Sequence, residues 1–129
     1  MELNYLAIAV GTVAAFVIGA VWYGALGSRM AGLHEAYAEP ARPSLATVGG
    51  ELVRCLVLAL AVAWLTVEVA PDGVGESLLL GVVLWVGFPA VLLSGSVLHE
   101  RVPPSLAAIH AADWLLKLVA LALLLGLWR

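Results

Sequence analysis

Charge is scarce in this chain: 12% of its 129 residues are Asp, Glu, Lys or Arg, while 64% are hydrophobic. A soluble domain carries roughly 25% charged and 45–50% apolar residues, so an ordinary soluble fold is excluded. A mean hydropathy of +1.07 agrees. Basic runs are missing as well, which removes a nucleic-acid footprint and a polybasic lipid patch; the net charge is −3, with acids and bases scattered. The single cysteine, Cys55, has no internal partner for a disulfide and reads as a small core residue beside Arg54. No Lys or Arg precedes the first apolar run, so Met1-Glu2-Leu3-Asn4-Tyr5 is expected to open a retained helix rather than a cleaved signal. Alternating segments of about ten residues, the mark of transmembrane strands, do not occur. Neither a nucleophile elbow, a phosphate loop nor metal-ligand spacing is present, so no cofactor is expected.

What the chain does have is four long apolar stretches. About 20 residues cross a hydrocarbon core of about 30 Å, and residues 3–25, 45–69, 75–97 and 106–128 qualify. Pro40 and Pro43, then Pro71-Asp72-Gly73, then Pro103-Pro104 separate them. The expectation is an all-α, four-helix transmembrane bundle making one domain over residues 1–129. Arg29, Arg42 and Arg101 fall in the first and third connections, whereas the second holds Asp72 and Glu76 and the tail holds Arg129. The positive-inside rule then predicts both termini outside a bacterial inner membrane, with the lipid bilayer as the immediate partner. Trp22, Tyr23 and Trp128 lie near span ends, as an aromatic belt would. In the first connection, Met30, Leu33 and Tyr37 share a face over residues 28–39, which suits a short interfacial helix on the cytoplasmic side.

Charges recur inside two of the spans: Glu51 and Arg54 in the second, His110, Asp113 and Lys117 in the fourth. Spacings of three and four stack side chains on one helical face. Unpaired, four such charges would cost about 12 kcal/mol even on the lenient insertion scale, so they are expected to face inward, where parallel helices can pair them crosswise. Helix one carries Ala7, Gly11, Ala15 and Gly19 four apart, a small-residue stripe for close helix packing or for a homo-oligomer contact. Pro89, helped by Gly87, should kink helix three.

The second half echoes the first. Leu33-His34-Glu35 recurs as Leu98-His99-Glu100, Pro43-Ser44-Leu45-Ala46 as Pro104-Ser105-Leu106-Ala107, and Glu51/Arg54 align with Asp113/Lys117. Two duplicated two-helix units would be related by a pseudo-axis along the membrane normal. The two His-Glu pairs are not a metal site, since neighbours on a helix point about 100° apart.

Asn4-Tyr5-Leu6, Trp22-Tyr23, Gly87-Phe88-Pro89, Ile109-His110-Ala111 through Trp114, and Leu125-Gly126-Leu127-Trp128 together resemble the bacterial membrane proteins of domain-of-unknown-function family 1761. The resemblance covers nearly the whole chain and implies four transmembrane helices without an assigned activity. It departs at Gly24-Ala25, where Ser-Pro is common, and at Asp113, where an aromatic or small residue is more usual.

Three functions suit these residues. The first is transport of a small lipophilic or proton-coupled solute, with Glu51, Arg54, His110, Asp113 and Lys117 as the relay, because a buried acid beside a base or His exchanges protons. The second is a membrane-embedded acid–base enzyme of isomerase, cyclase or epoxide-opening type, with Asp113, Glu51 and His110 as catalytic groups acting on a lipophilic ligand. The third is a structural or accessory subunit, in which the charges set helix register and Gly11, Ala15 and Gly19 pack against a neighbour.

Overall fold

The computed structural model describes residues 2–33 and 44–129. Five helices follow in order: α1 (Tyr5–Ala31), α2 (Leu45–Val69), α3 (Gly73–Gly87), α4 (Pro89–His99) and α5 (Pro104–Leu127). Helices α3 and α4 run on as one span, so the described residues present four helices long and apolar enough to cross a membrane, the architecture of a multi-pass membrane protein.

The boundaries have local causes. Asn4 caps α1 by accepting the Ala7 N–H at 3.0 Å, and Ser44 caps α2 by accepting the Thr47 N–H at 3.1 Å. Ala70 ends α2 in the left-handed region, with φ of 50°, and Pro71 cannot continue the helix. At the third span, Pro89 offers no N–H to the Trp85 carbonyl, and the chain breaks at Phe88 (φ −121°, ψ −77°) instead of bending smoothly.

Helix α1 runs six residues past the expected end at Ala25, to Ala31. Residues 28–31, assigned by pattern to an interfacial helix, are therefore the last turn of α1. Met30 is buried there against Leu106 and Ile109 rather than lying on a membrane surface. The remainder of that segment, including His34, Glu35, Tyr37 and Arg42, lies outside the described residues.

Helix α5 is the centre of the bundle and packs against the other four. Small residues permit this. A Cβ added at Gly81 on α3 would stand 3.0 Å from the Leu118 carbonyl oxygen and 3.0 Å from Val119 Cα, so the two backbones are in contact. On α1, a Cβ at Gly11 would meet Leu121 Cδ2 at 2.9 Å, with Ala59 Cβ at 3.9 Å. The core between α1, α2 and α5 is built from Ala7, Ile8, Ala59, Val62, Leu121 and Leu125. Leu52, Val53, Leu56 and Val57 of α2 and Leu78, Leu79, Val82 and Val83 of α3 are exposed, as lipid-facing surfaces are. At the other end of α2, Arg129 donates to the Thr66 and Pro71 carbonyls, both at 3.0 Å, and covers the negative end of that helix.

Candidate functional site: a polar chain on the wall of a membrane cleft

Helices α1, α2 and α5 diverge around a cleft of about 840 Å³. Glu51, Arg54, His110, Asp113 and Lys117, the five charged or titratable positions singled out by spacing, all line it, as do Ala15 and Gly19 of the small-residue stripe. Gly11 lies further along α1, in the core.

The two ion pairs are not equivalent. Each closes within its own helix: Arg54 with Glu51 on α2, and Lys117 with Asp113 on α5, the latter at 2.9 Å. The crosswise arrangement expected from sequence does not form, because partners three and four residues apart are already in reach without crossing the cleft. The α5 pair is buried, with side chains 11% (Lys117) and 3% (Asp113) exposed, whereas the α2 pair is open at 67% (Arg54) and 40% (Glu51).

Gly19 makes room for the buried pair. A Cβ there would be 3.1 Å from Lys117 Nζ, 3.4 Å from Cε and 4.0 Å from Asp113 Oδ1. Lys117, the sole lysine of the chain, therefore lies against the bare backbone of α1.

Tyr23 extends the pair into a chain. Its hydroxyl is 2.8 Å from His110 Nδ1 and donates to Asp113 Oδ2 at 3.3 Å. The rings of Tyr23 and His110 are tilted, 5.5 Å apart. Asp113 Oδ2 thus accepts from both Lys117 and Tyr23, while Asp113 Oδ1 is buried without a hydrogen-bond partner. A hydroxyl between an imidazole nitrogen and a carboxylate can donate to either, so one proton's position along the chain distinguishes two arrangements of the same atoms.

Two tryptophans set the rotation of α5 that aims these groups. Trp22 of α1 donates to the Ile109 carbonyl and Trp85 of α3 to the Ala111 carbonyl, each at 2.8 Å. The bonds bracket His110 in sequence. Trp22 and Tyr23 accordingly both turn to α5. Tyr23 was not among the sequence candidates, yet a signal existed: it lies four residues beyond Gly19, so the stripe Ala7, Gly11, Ala15, Gly19 continues onto it.

Cys55 is buried in the core beside this cleft. His99 and Glu100 are exposed at the end of α4, away from the cleft. No group of three His, Cys, Asp or Glu side chains suited to a metal ion occurs among the described residues.

Neither a curated protein nor a solved structure matches the chain. A family profile does, over residues 6–126, and it carries the same family that the short motifs at both ends of the chain resemble. The chain belongs to the DUF1761 family, described as proteins of unknown function.

Proposed function

We propose that this is a small transport-type membrane protein that admits a lipophilic solute to the α1–α2–α5 cleft and couples its passage to a proton held by Asp113. The carrying observation is the unequal treatment of the Asp113 carboxyl: Oδ2 accepts two hydrogen bonds, while Oδ1 is buried with none. Leaving a buried acceptor unmade costs about 1–3 kcal/mol, more when charged. A network that existed only to hold helices together would satisfy both oxygens. An oxygen left bare can carry a proton without displacing an existing hydrogen bond, and Tyr23, which meets the same carboxyl at Oδ2 and His110 at Nδ1, connects that carboxyl to a second titratable group. The orientation inferred from Arg29, Arg42 and Arg101 belongs to this reading, and puts the Tyr23 end of the cleft toward the cytoplasm.

The test is flux in proteoliposomes with an entrapped pH-reporting dye, an imposed pH gradient and a panel of lipophilic solutes. Solute-dependent proton movement is expected with the native protein, and Asp113→Asn should abolish it. Tyr23→Phe, which keeps the Asp113–Lys117 pair, should slow it about a hundredfold or more, a typical contribution of a positioned proton-transfer group. Proton movement unchanged in Tyr23→Phe would remove the relay. The same chain suits general acid–base chemistry, so the membrane-embedded enzyme is the second reading. It predicts turnover of a lipophilic substrate without net proton movement across the bilayer.

A further inference from the structure

Resting on that reading of the cleft, we propose that its ligand is an amphiphile with an anionic head, a carboxylate or phosphate, seated between Lys117 and Arg54, with its apolar tail along the wall formed by Phe16, Leu58 and Ala61.

Three observations carry this. In both ion pairs the cation is the more exposed member and the acid lies behind it: 11% against 3% for Lys117 and Asp113, and 67% against 40% for Arg54 and Glu51. Within each pair the outermost group is an N–H donor, although Glu51 is itself open to the cleft. Those donors are also in surplus. Lysine has three and arginine five, and one of each is used in the described contacts, toward Asp113 and Glu51.

The two cations also stand within about one helical turn of each other in depth. Gly11 packs beside Ala59 and Leu121, which aligns α1 with α2 and α5, and two turns further along α1 Gly19 lies against Lys117 Nζ. Tyr23 and Thr47 share one end of the bundle and Asn4 and Thr66 the other, so α1 and α2 run in opposite directions, and the same step along α2 arrives at Glu51, one turn from Arg54. The polar groups therefore share one end of the cleft. From Arg54 to Ala61 the α2 wall adds roughly 10 Å of length lined by apolar groups. The cleft volume of about 840 Å³ falls among sites that take a drug-sized ligand.

Charge balance links the head to the proton. The lining charges sum to zero with Asp113 and Glu51 ionised, so a bound monoanion leaves one negative charge in excess unless a proton accompanies it. Asp113 takes that proton, its pairing with Lys117 passes to the ligand head, and the balance is restored. The charged and titratable groups around Asp113 are Lys117, His110 and Tyr23, with Glu51, Arg54 and Cys55 on α2 across the cleft.

Binding of pyrene-tagged decyl chains ending in a carboxylate, a phosphate, a methyl ester or an amine, read by energy transfer from tryptophan in purified protein, tests this. The carboxylate or the phosphate should bind about tenfold tighter than the ester, and Arg54→Gln should erase that margin while ester binding stays unchanged; the tighter of the two anions identifies the head. Lys117→Gln risks the fold, so Asp113→Asn/Lys117→Gln, which removes both charges, serves as the second variant and should also lose the preference. Equal binding of all four heads, preference for the amine, no binding of any probe, or a preference that survives Arg54→Gln and the double variant overturns the proposal. Proton-coupled flux without head discrimination would sink this inference and leave transport standing. Anion binding without flux would do the reverse.

Discussion

Two ion pairs, each of one acid and one base, sit on two neighbouring helices, and they have opposite surroundings. On α2, Glu51 and Arg54 are three residues apart and open; on α5, Asp113 and Lys117 are four apart and almost closed off. A spacing of three or four residues does not by itself bury a pair. Their neighbours do: α5 is gripped from both sides by the indole N–H groups of Trp22 and Trp85, and its lysine lies under Gly19, where α1 has no side chain to push it away. Helix α2 has no such grip at Glu51 and Arg54 among the described contacts. Burial of a charged pair is thus a property of the helix opposite, and it separates a pair that can shape a site from one that can guard its entrance.

The largest expected effect comes from breaking the buried pair. Lys117→Gln leaves the Asp113 carboxylate uncompensated, and stability should fall by about 3–5 kcal/mol, measured as chemical unfolding in mixed micelles. The double change with Asp113→Asn should recover most of that loss. If the single variant is as stable as the native protein, the two pairs are equivalent and the contrast is empty.

Gly19→Ala sharpens the comparison at intermediate size. The new methyl would meet the far end of a flexible side chain at 3.1 Å, so Lys117, already on the cleft wall, should be pushed further out into the cleft without unfolding the bundle. The observable is chemical: as the sole lysine, it should react faster with an amine-modifying reagent, followed by mass spectrometry of the peptide that contains it. An unchanged rate would mean that Gly19 does not hold the lysine down.

The smallest effect belongs to the open pair. Arg54→Gln should change stability by less than about 1 kcal/mol in the same unfolding assay, since an exposed pair is weak once solvent screening is allowed for. A loss matching that of Lys117→Gln would show that α2 is covered in its working state.

Much of the fold was legible because helical periodicity and apolar length are local properties. The four spans, the interruption at Pro89 and the Ala7-Gly11-Ala15-Gly19 stripe could each be read from spacings of a few residues. The end of α1 was not, because Met30 is held in helix by contacts with Leu106 and Ile109, some seventy-five residues away in the chain. The site was half legible for the same reason. Spacing brought out His110, Asp113 and Lys117 as one face, but the role of Tyr23 depends on how α1 is rotated against α5. The matching of Glu51/Arg54 with Asp113/Lys117 as duplicated positions likewise carried no information about their different exposure, which arises from tertiary neighbours.

The backbone contact at Gly81 bears on how such a molecule can move. With Leu118 and Val119 touching α3 directly, those two rods have no intervening side chains to rearrange, and sliding one past the other would drive main chain into main chain. They form a stator. On the transport reading proposed above, breathing of the gap falls to α1 and α2, and a tether from Thr47 to Tyr23, both on its wall, should block uptake without touching a single charge.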